Sequence, residues 1–127
     1  MQLQDKVAFV TGAGSGIGKG AAVIMAKEGA KVAILSRTEK QLKDVAAEIE
    51  DAGGEALIIT GDVSDAAQIE AAVQQIVDKW GRLDIVVANA GINGVWASIE
   101  ELTPEDWDTT LGINLKGTFL TIKYATP

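Results

Sequence analysis

Four short runs of continuous apolar residues punctuate the chain: Val7-Ala8-Phe9-Val10, Val32-Ala33-Ile34-Leu35, Ala56-Leu57-Ile58-Ile59 and Ile85-Val86-Val87-Ala88. None alternates with polar positions, so each predicts a strand covered on both faces, as in a parallel sheet. Helical patterns separate them. The first spans about Gly16 to Glu28, with Ile17, Ala21, Ile24 and Met25 as its predicted apolar face and Gly29 as its stop. The second opens at Thr38, with Gln41 at the spacing of a capping box, repeats Leu42, Val45, Ala46 and Ile49, and ends at Gly53-Gly54. A third begins near Ser64-Asp65, carries Ile69, Val73, Ile76, Val77 and Trp80, and closes at Gly81. The fourth opens at Thr103-Pro104-Glu105-Asp106, with Thr103 at the N-cap, Pro104 at the first helical position and Asp106 as the box partner.

The order β-α-β-α-β-α-β-α predicts an α/β fold: a Rossmann-type open parallel sheet, helices on both faces, strand order 3-2-1-4. A length of 127 residues suits one dinucleotide-binding domain over residues 1–127, with no linker or repeat.

Composition removes several chemistries. Cysteine and histidine are both absent, so a Ser-His-Asp triad, a thiolate nucleophile and a His- or Cys-ligated metal site cannot be built; no metal site is expected. The net charge of -7 argues against a nucleic-acid partner or a basic membrane patch. No apolar run reaches the length of a membrane span, and Met1 to Lys6 lacks a signal-peptide core; the expected compartment is the cytoplasm.

The first strand runs into Thr11-Gly12-Ala13-Gly14-Ser15-Gly16-Ile17-Gly18. A glycine-rich strand-to-helix turn lets backbone approach a diphosphate, and the helix start offers free N–H groups. A Walker A loop fails here, because position 13 is Ala and position 20 is Gly. The GxGxxG fingerprint also fails, meeting Ile17 or Lys19 where its last glycine belongs. Thr-Gly-x-x-x-Gly-x-Gly fits without a gap, at Thr11, Gly12, Gly16 and Gly18. This loop resembles the cofactor loop of the short-chain dehydrogenase/reductase family.

Further segments are similar to that family in the same order, from Lys6 to Ala125. The resemblance implies a cofactor loop of Thr11, Gly12, Gly14, Ser15, Gly16, Ile17 and Gly18. It also implies an adenine contact at Asp62-Val63, although Asp62 as a cap of the next helix is an alternative. Asn89-Ala90-Gly91 matches the family's Asn-Ala-Gly segment near the inner ribose, although Ala88 stands where a second Asn is usual; a plain turn after a strand is the other reading. Asn114 resembles the family's catalytic-tetrad asparagine, whose backbone carbonyl holds a water. A helix kink stabilised by its side chain is compatible with that role.

Cofactor choice rests on the end of strand two. An acidic residue there would bind a free ribose 2′-hydroxyl, but this chain has Ser36, followed by Arg37 and Thr38. Arg37, aided by the two hydroxyls, suits a 2′-phosphate, so NADP is the expected cofactor and NAD the alternative. Arg37 could also be merely solvated.

By resemblance the complete protein transfers hydride between a nicotinamide and a small carbonyl or alcohol substrate, as a homo-oligomer. The family's catalytic serine and Tyr-x-x-x-Lys are not found, and Tyr124 lacks a lysine four residues on. The expectation is a chain truncated before strand five, inactive alone, with an exposed edge at Ile85 to Ala88. The alternative is a non-catalytic dinucleotide-binding or regulatory module.

Overall fold

In the computed structural model, which describes residues 1–126, four strands form one parallel sheet in the order β3-β2-β1-β4. The strands are β1 (Val7–Thr11), β2 (Lys31–Ser36), β3 (Glu55–Thr60) and β4 (Ile85–Val87). Between and after them lie α1 (Gly16–Lys27), α2 (Glu39–Asp51), α3 (Ala66–Trp80), α4 (Pro104–Leu111) and α5 (Gly117–Ala125). The sheet order and the helices on both faces are those the sequence predicts.

Parity along the strands builds two cores. Val10, Val32 and Ile34 point to one face and pack with Ala22 and Ala26 of α1 and Leu42, Val45 and Ile49 of α2. Phe9, Ala33 and Leu35 point to the other and pack with Ile69, Ala72 and Ile76 of α3 and Leu120 of α5. The inner strands β1 and β2 are covered on both faces, as predicted. The outer strands β3 and β4 are only half-buried, because each has a neighbour on one side only. At the start of β1, the Val7 N–H donates to Asp84 Oδ2 (2.9 Å), while Arg82 donates to both Asp84 oxygens. That carboxylate ties the entry of β4 to β1.

Three local expectations change. First, α1 buries Gly18, Ala22 and Ala26, while Ile17 and Ile24 stand 82% and 62% exposed. The helix approaches the glycine turn and the sheet too closely for large side chains, so the small residues face inward. The buried stripe is thus offset by about one residue, roughly 100°, from the predicted face. Second, Thr38 is the N-cap of α2 but makes no capping hydrogen bond. The Ser36 hydroxyl takes the Thr38 N–H instead (3.2 Å), so the box with Gln41 does not form. Third, the helix opening at Thr103 is not continuous. Thr103 and Asp106 do form the reciprocal capping box, but Gly112–Lys116 is a π-helical turn between α4 and α5. No helix among the described residues is long and apolar enough to cross a membrane.

Candidate functional site

Because the strands are parallel and in register (Thr11 beside Leu35, Ser36 beside Thr60, Val10 beside Val87), their C-terminal ends share one edge of the sheet. The chain order reverses between β1 and β4, which opens a crevice there. A cleft of about 310 Å³ occupies this edge. Its walls are Gly12, Gly14 and Ser15 after β1; Ser36, Arg37 and Thr38 after β2; Asp62 and Val63 after β3; and Asn89, Ala90 and Gly91 after β4. Four separate sequence segments are thus brought to one place.

The glycine turn is shaped by what it touches. Gly12 adopts φ 63° and Gly16 φ 58°, conformations that side chains strain. A Cβ on Gly18 would overlap the Gly12 carbonyl oxygen, and one on Gly12 would sit 2.8 Å from Ala90 Cα. Ala13 is buried and its N–H donates to Leu35 O (3.2 Å), anchoring the turn to β2. Ser15 is the N-cap of α1 and makes no side-chain capping bond. The first intrahelical bond is given by Lys19 to Ser15 O, which leaves the N–H groups of Gly16, Ile17 and Gly18 at the open helix end.

Thr11 is placed differently from its neighbours. It is 1% exposed, and its hydroxyl is turned toward the end of β4. That hydroxyl accepts the N–H groups of Asn89 (3.0 Å) and Ala90 (3.1 Å) and donates to Val87 O (3.5 Å). Asn89 Nδ2 returns a bond to Gly12 O (3.3 Å). Thr11 and Asn89 therefore clasp the β1 and β4 ends together. Gly16, Ile17 and Gly18 stand at the helix end rather than in the cleft wall.

Asp62 does not cap α3; Asp65 does, accepting the Gln68 N–H (3.2 Å). Instead Asp62 Oδ1 accepts from Ser64 Oγ (2.7 Å) and Ser64 N–H (2.9 Å), closing a local turn. Those two bonds hold its carboxyl below the ordinary carboxylate range, with a smaller pull from Arg37 and some opposition from burial. A lowered folded value means the stabilisation is complete above pH of about 3.9 and fades as pH falls below it. Asp62→Asn should thus be less stable than the parent at pH 7, and the gap should shrink at pH 3 in urea unfolding. Asp62 is half-buried and still partly screened by solvent, so the gap stays near or below about 1 kcal/mol. A gap that persists undiminished at pH 3 would contradict these hydrogen bonds.

Arg37 is exposed, and the three ion pairs among the described residues, Lys19–Glu48, Lys43–Glu39 and Arg82–Asp84, do not include it. Asn114 lies in the π-helical turn, outside the cleft wall. Its Oδ1 accepts the Ile92 N–H (2.7 Å) and its Nδ2 donates to Ile92 O (2.8 Å), so the side chain pins the segment after Gly91. Its own carbonyl accepts from Thr118 Oγ1 (3.2 Å). Sequence reasoning did not place Leu35, Gln41, Gly61 and Ile113 in the site, and all four line the cleft. Gln41 had a visible but misread signal, its place near the start of α2. Ile113 carries no local signal, since only the tertiary fold brings it there.

A parallel sheet in this order, with a glycine turn at its switch point, defines a Rossmann-type α/β architecture. The profile of the family described as short chain dehydrogenase matches residues 6–127. The chain belongs to that family. It is 52% identical over 126 residues to an uncharacterized oxidoreductase of Thermotoga maritima, covering 98% of this chain and 49% of that protein. Among solved structures, a 3-ketoacyl-ACP reductase from Sinorhizobium meliloti superposes with TM-score 0.92 at 53% identity, over 95% of this chain and 48% of that one. An NAD+-bound xylitol dehydrogenase (TM-score 0.94, 30% identity) and a metagenomic short-chain oxidoreductase in complex with NADP (0.94, 34%) match over 98% of this chain. They are covered over 48% and 56% of their own lengths. The chain thus spans about half the length of the relatives it matches.

Proposed function

We propose that this chain is the cofactor-binding half of an NADP-preferring oxidoreductase that interconverts a carbonyl and an alcohol. The observation that carries the preference is Arg37, a cation without an ion pair among the described residues, just after β2 and in the wall of the glycine-turn cleft. The site fits a dinucleotide on its own chemistry: glycines where a Cβ would collide, open N–H groups at the start of α1, and a carboxylate at Asp62. The two cofactor-bound neighbours differ in cofactor, so the choice comes down to this chain's own residues.

Gly12, Gly14, Ser15, Gly16, Ile17 and Gly18 would hold the diphosphate. Ser36, Arg37 and Thr38 would hold the ribose 2′-phosphate, and Asp62 with Val63 would line the adenine. Asn89, Ala90 and Gly91 would face the inner ribose, with Thr11 and Asn114 positioning the segments from behind. When bound, the nicotinamide supplies hydride chemistry; the chain binds and orients it. The same reading makes the whole protein a cytoplasmic homo-oligomer acting on a small carbonyl or alcohol substrate.

Titration with both reduced cofactors tests the reading. NADPH should bind roughly tenfold to a hundredfold tighter than NADH, the worth of one charge-assisted hydrogen bond. Arg37→Ala should erase most of that difference by weakening NADPH alone. Equal affinities in the parent would reject the preference, and no binding of either would reject the function.

A further inference from the structure

Gln41 lies in the first turn of α2 and lines the cleft, yet helix capping does not engage it. Its carboxamide stands against the glycine turn: a Cβ on Gly14 would lie 2.6 Å from Gln41 Oε1 and 3.1 Å from Ser36 Oγ. The Gln41 amide, the Ser36 hydroxyl and the Gly14 backbone therefore stand side by side in the cleft wall. The Ser36 hydroxyl already takes the Thr38 N–H and gives its proton to Thr38 O (3.3 Å), so it must turn away from Thr38 O to donate to a 2′-phosphate. Arg37, the neighbouring cation, offers donors only. A ribose 2′-hydroxyl needs an acceptor here, and a 2′-phosphate needs donors. Gln41 has both on one group, Oε1 and Nε2, interchanged by half a turn of its terminal torsion.

We propose that Gln41 is a second reader of the adenosine ribose, accepting from the 2′-hydroxyl of NAD(H) or donating to the 2′-phosphate of NADP(H). It stands in for the acidic residue that β2 lacks, and so keeps the site open to both cofactors while Arg37 sets the bias. The inference rests on the dinucleotide reading of the cleft.

Calorimetry on the full chain tests it, with NADPH and NADH and with the fragments 2′,5′-ADP and 5′-AMP, which isolate the adenosine end. Gln41→Glu suits the start of a helix, so folding is not at risk. It should weaken NADPH and 2′,5′-ADP about tenfold or more by like-charge repulsion, leaving NADH and 5′-AMP unchanged or tighter. Gln41→Lys should do the reverse, tightening NADPH and weakening NADH about threefold to tenfold through the lost acceptor. If the parent binds both dinucleotides and the NADPH-to-NADH ratio stays within about twofold in both variants, Gln41 is not a reader, and the dinucleotide reading stands without it. If the parent binds neither, both fall together.

Discussion

Gly18→Ala should cost about 3 kcal/mol of stability and weaken NADPH binding roughly a hundredfold or more. The added Cβ has no room: it would overlap the Gly12 carbonyl oxygen and sit 2.7 Å from Asn89 Nδ2. Neither neighbour can retreat cheaply. Gly12 is already in a left-handed conformation, the next residue is bonded to β2 through its N–H, and the Asn89 amide holds Gly12 O. Overpacking at such a point sits at the upper end of the range of about 1–3 kcal/mol. Displacing the turn also misdirects the N–H groups offered to the diphosphate. Losing two hydrogen bonds to a charged group amounts to about 3 kcal/mol or more, which is the hundredfold. Gly20→Ala is the control, because nothing lies within 4 Å of its added Cβ. In mid-helix it should stabilise the chain by about 0.5–1 kcal/mol and leave binding alone. Denaturant melts and NADPH titrations on the two variants separate these effects. Binding within tenfold of the parent in Gly18→Ala would remove the turn from the site.

Thr11→Val should destabilise the chain by about 1–3 kcal/mol although the side chain keeps its shape. Valine leaves the Ala90 N–H without its acceptor, while the Asn89 N–H and Val87 O lose the hydroxyl but keep the bond they make to each other (3.0 Å). One stranded polar group costs about 1–3 kcal/mol. Thr11→Ser retains the hydroxyl and should recover more than half of the loss in urea unfolding. A valine variant as stable as the parent would show that the two strand ends do not depend on this clasp.

The sheet was readable because β1 and β2 lie inside it, and strands covered on both faces need unbroken apolar runs. Glycines at 29, 53 and 81 marked helix ends because each takes a positive φ there. The cleft was readable for the same kind of reason, since its walls come from the short segments that follow each strand. Other features depended on contacts between distant parts of the chain. The buried face of α1 is decided by the meeting of Gly18 with Gly12, so hydrophobicity pointed to Ile17 and Ile24, which face solvent. Gln41 carried a capping signal, but Ser36 satisfied the Thr38 N–H first. Asn114 signalled a polar group in need of a partner, and that partner is the backbone of Ile92, far away in sequence.

The π-helical turn at Gly112–Lys116 resets the angular phase of everything beyond it. Each residue advances a helix by about 100°, so one extra residue in a turn swings the following stretch by that much. Beyond this turn, Gly117, Leu120 and Thr121 are buried, with Phe119 and Ile122 left outside. A homologue that gained or lost a single residue there would turn a different side of its last helix toward the sheet, however closely its letters agreed.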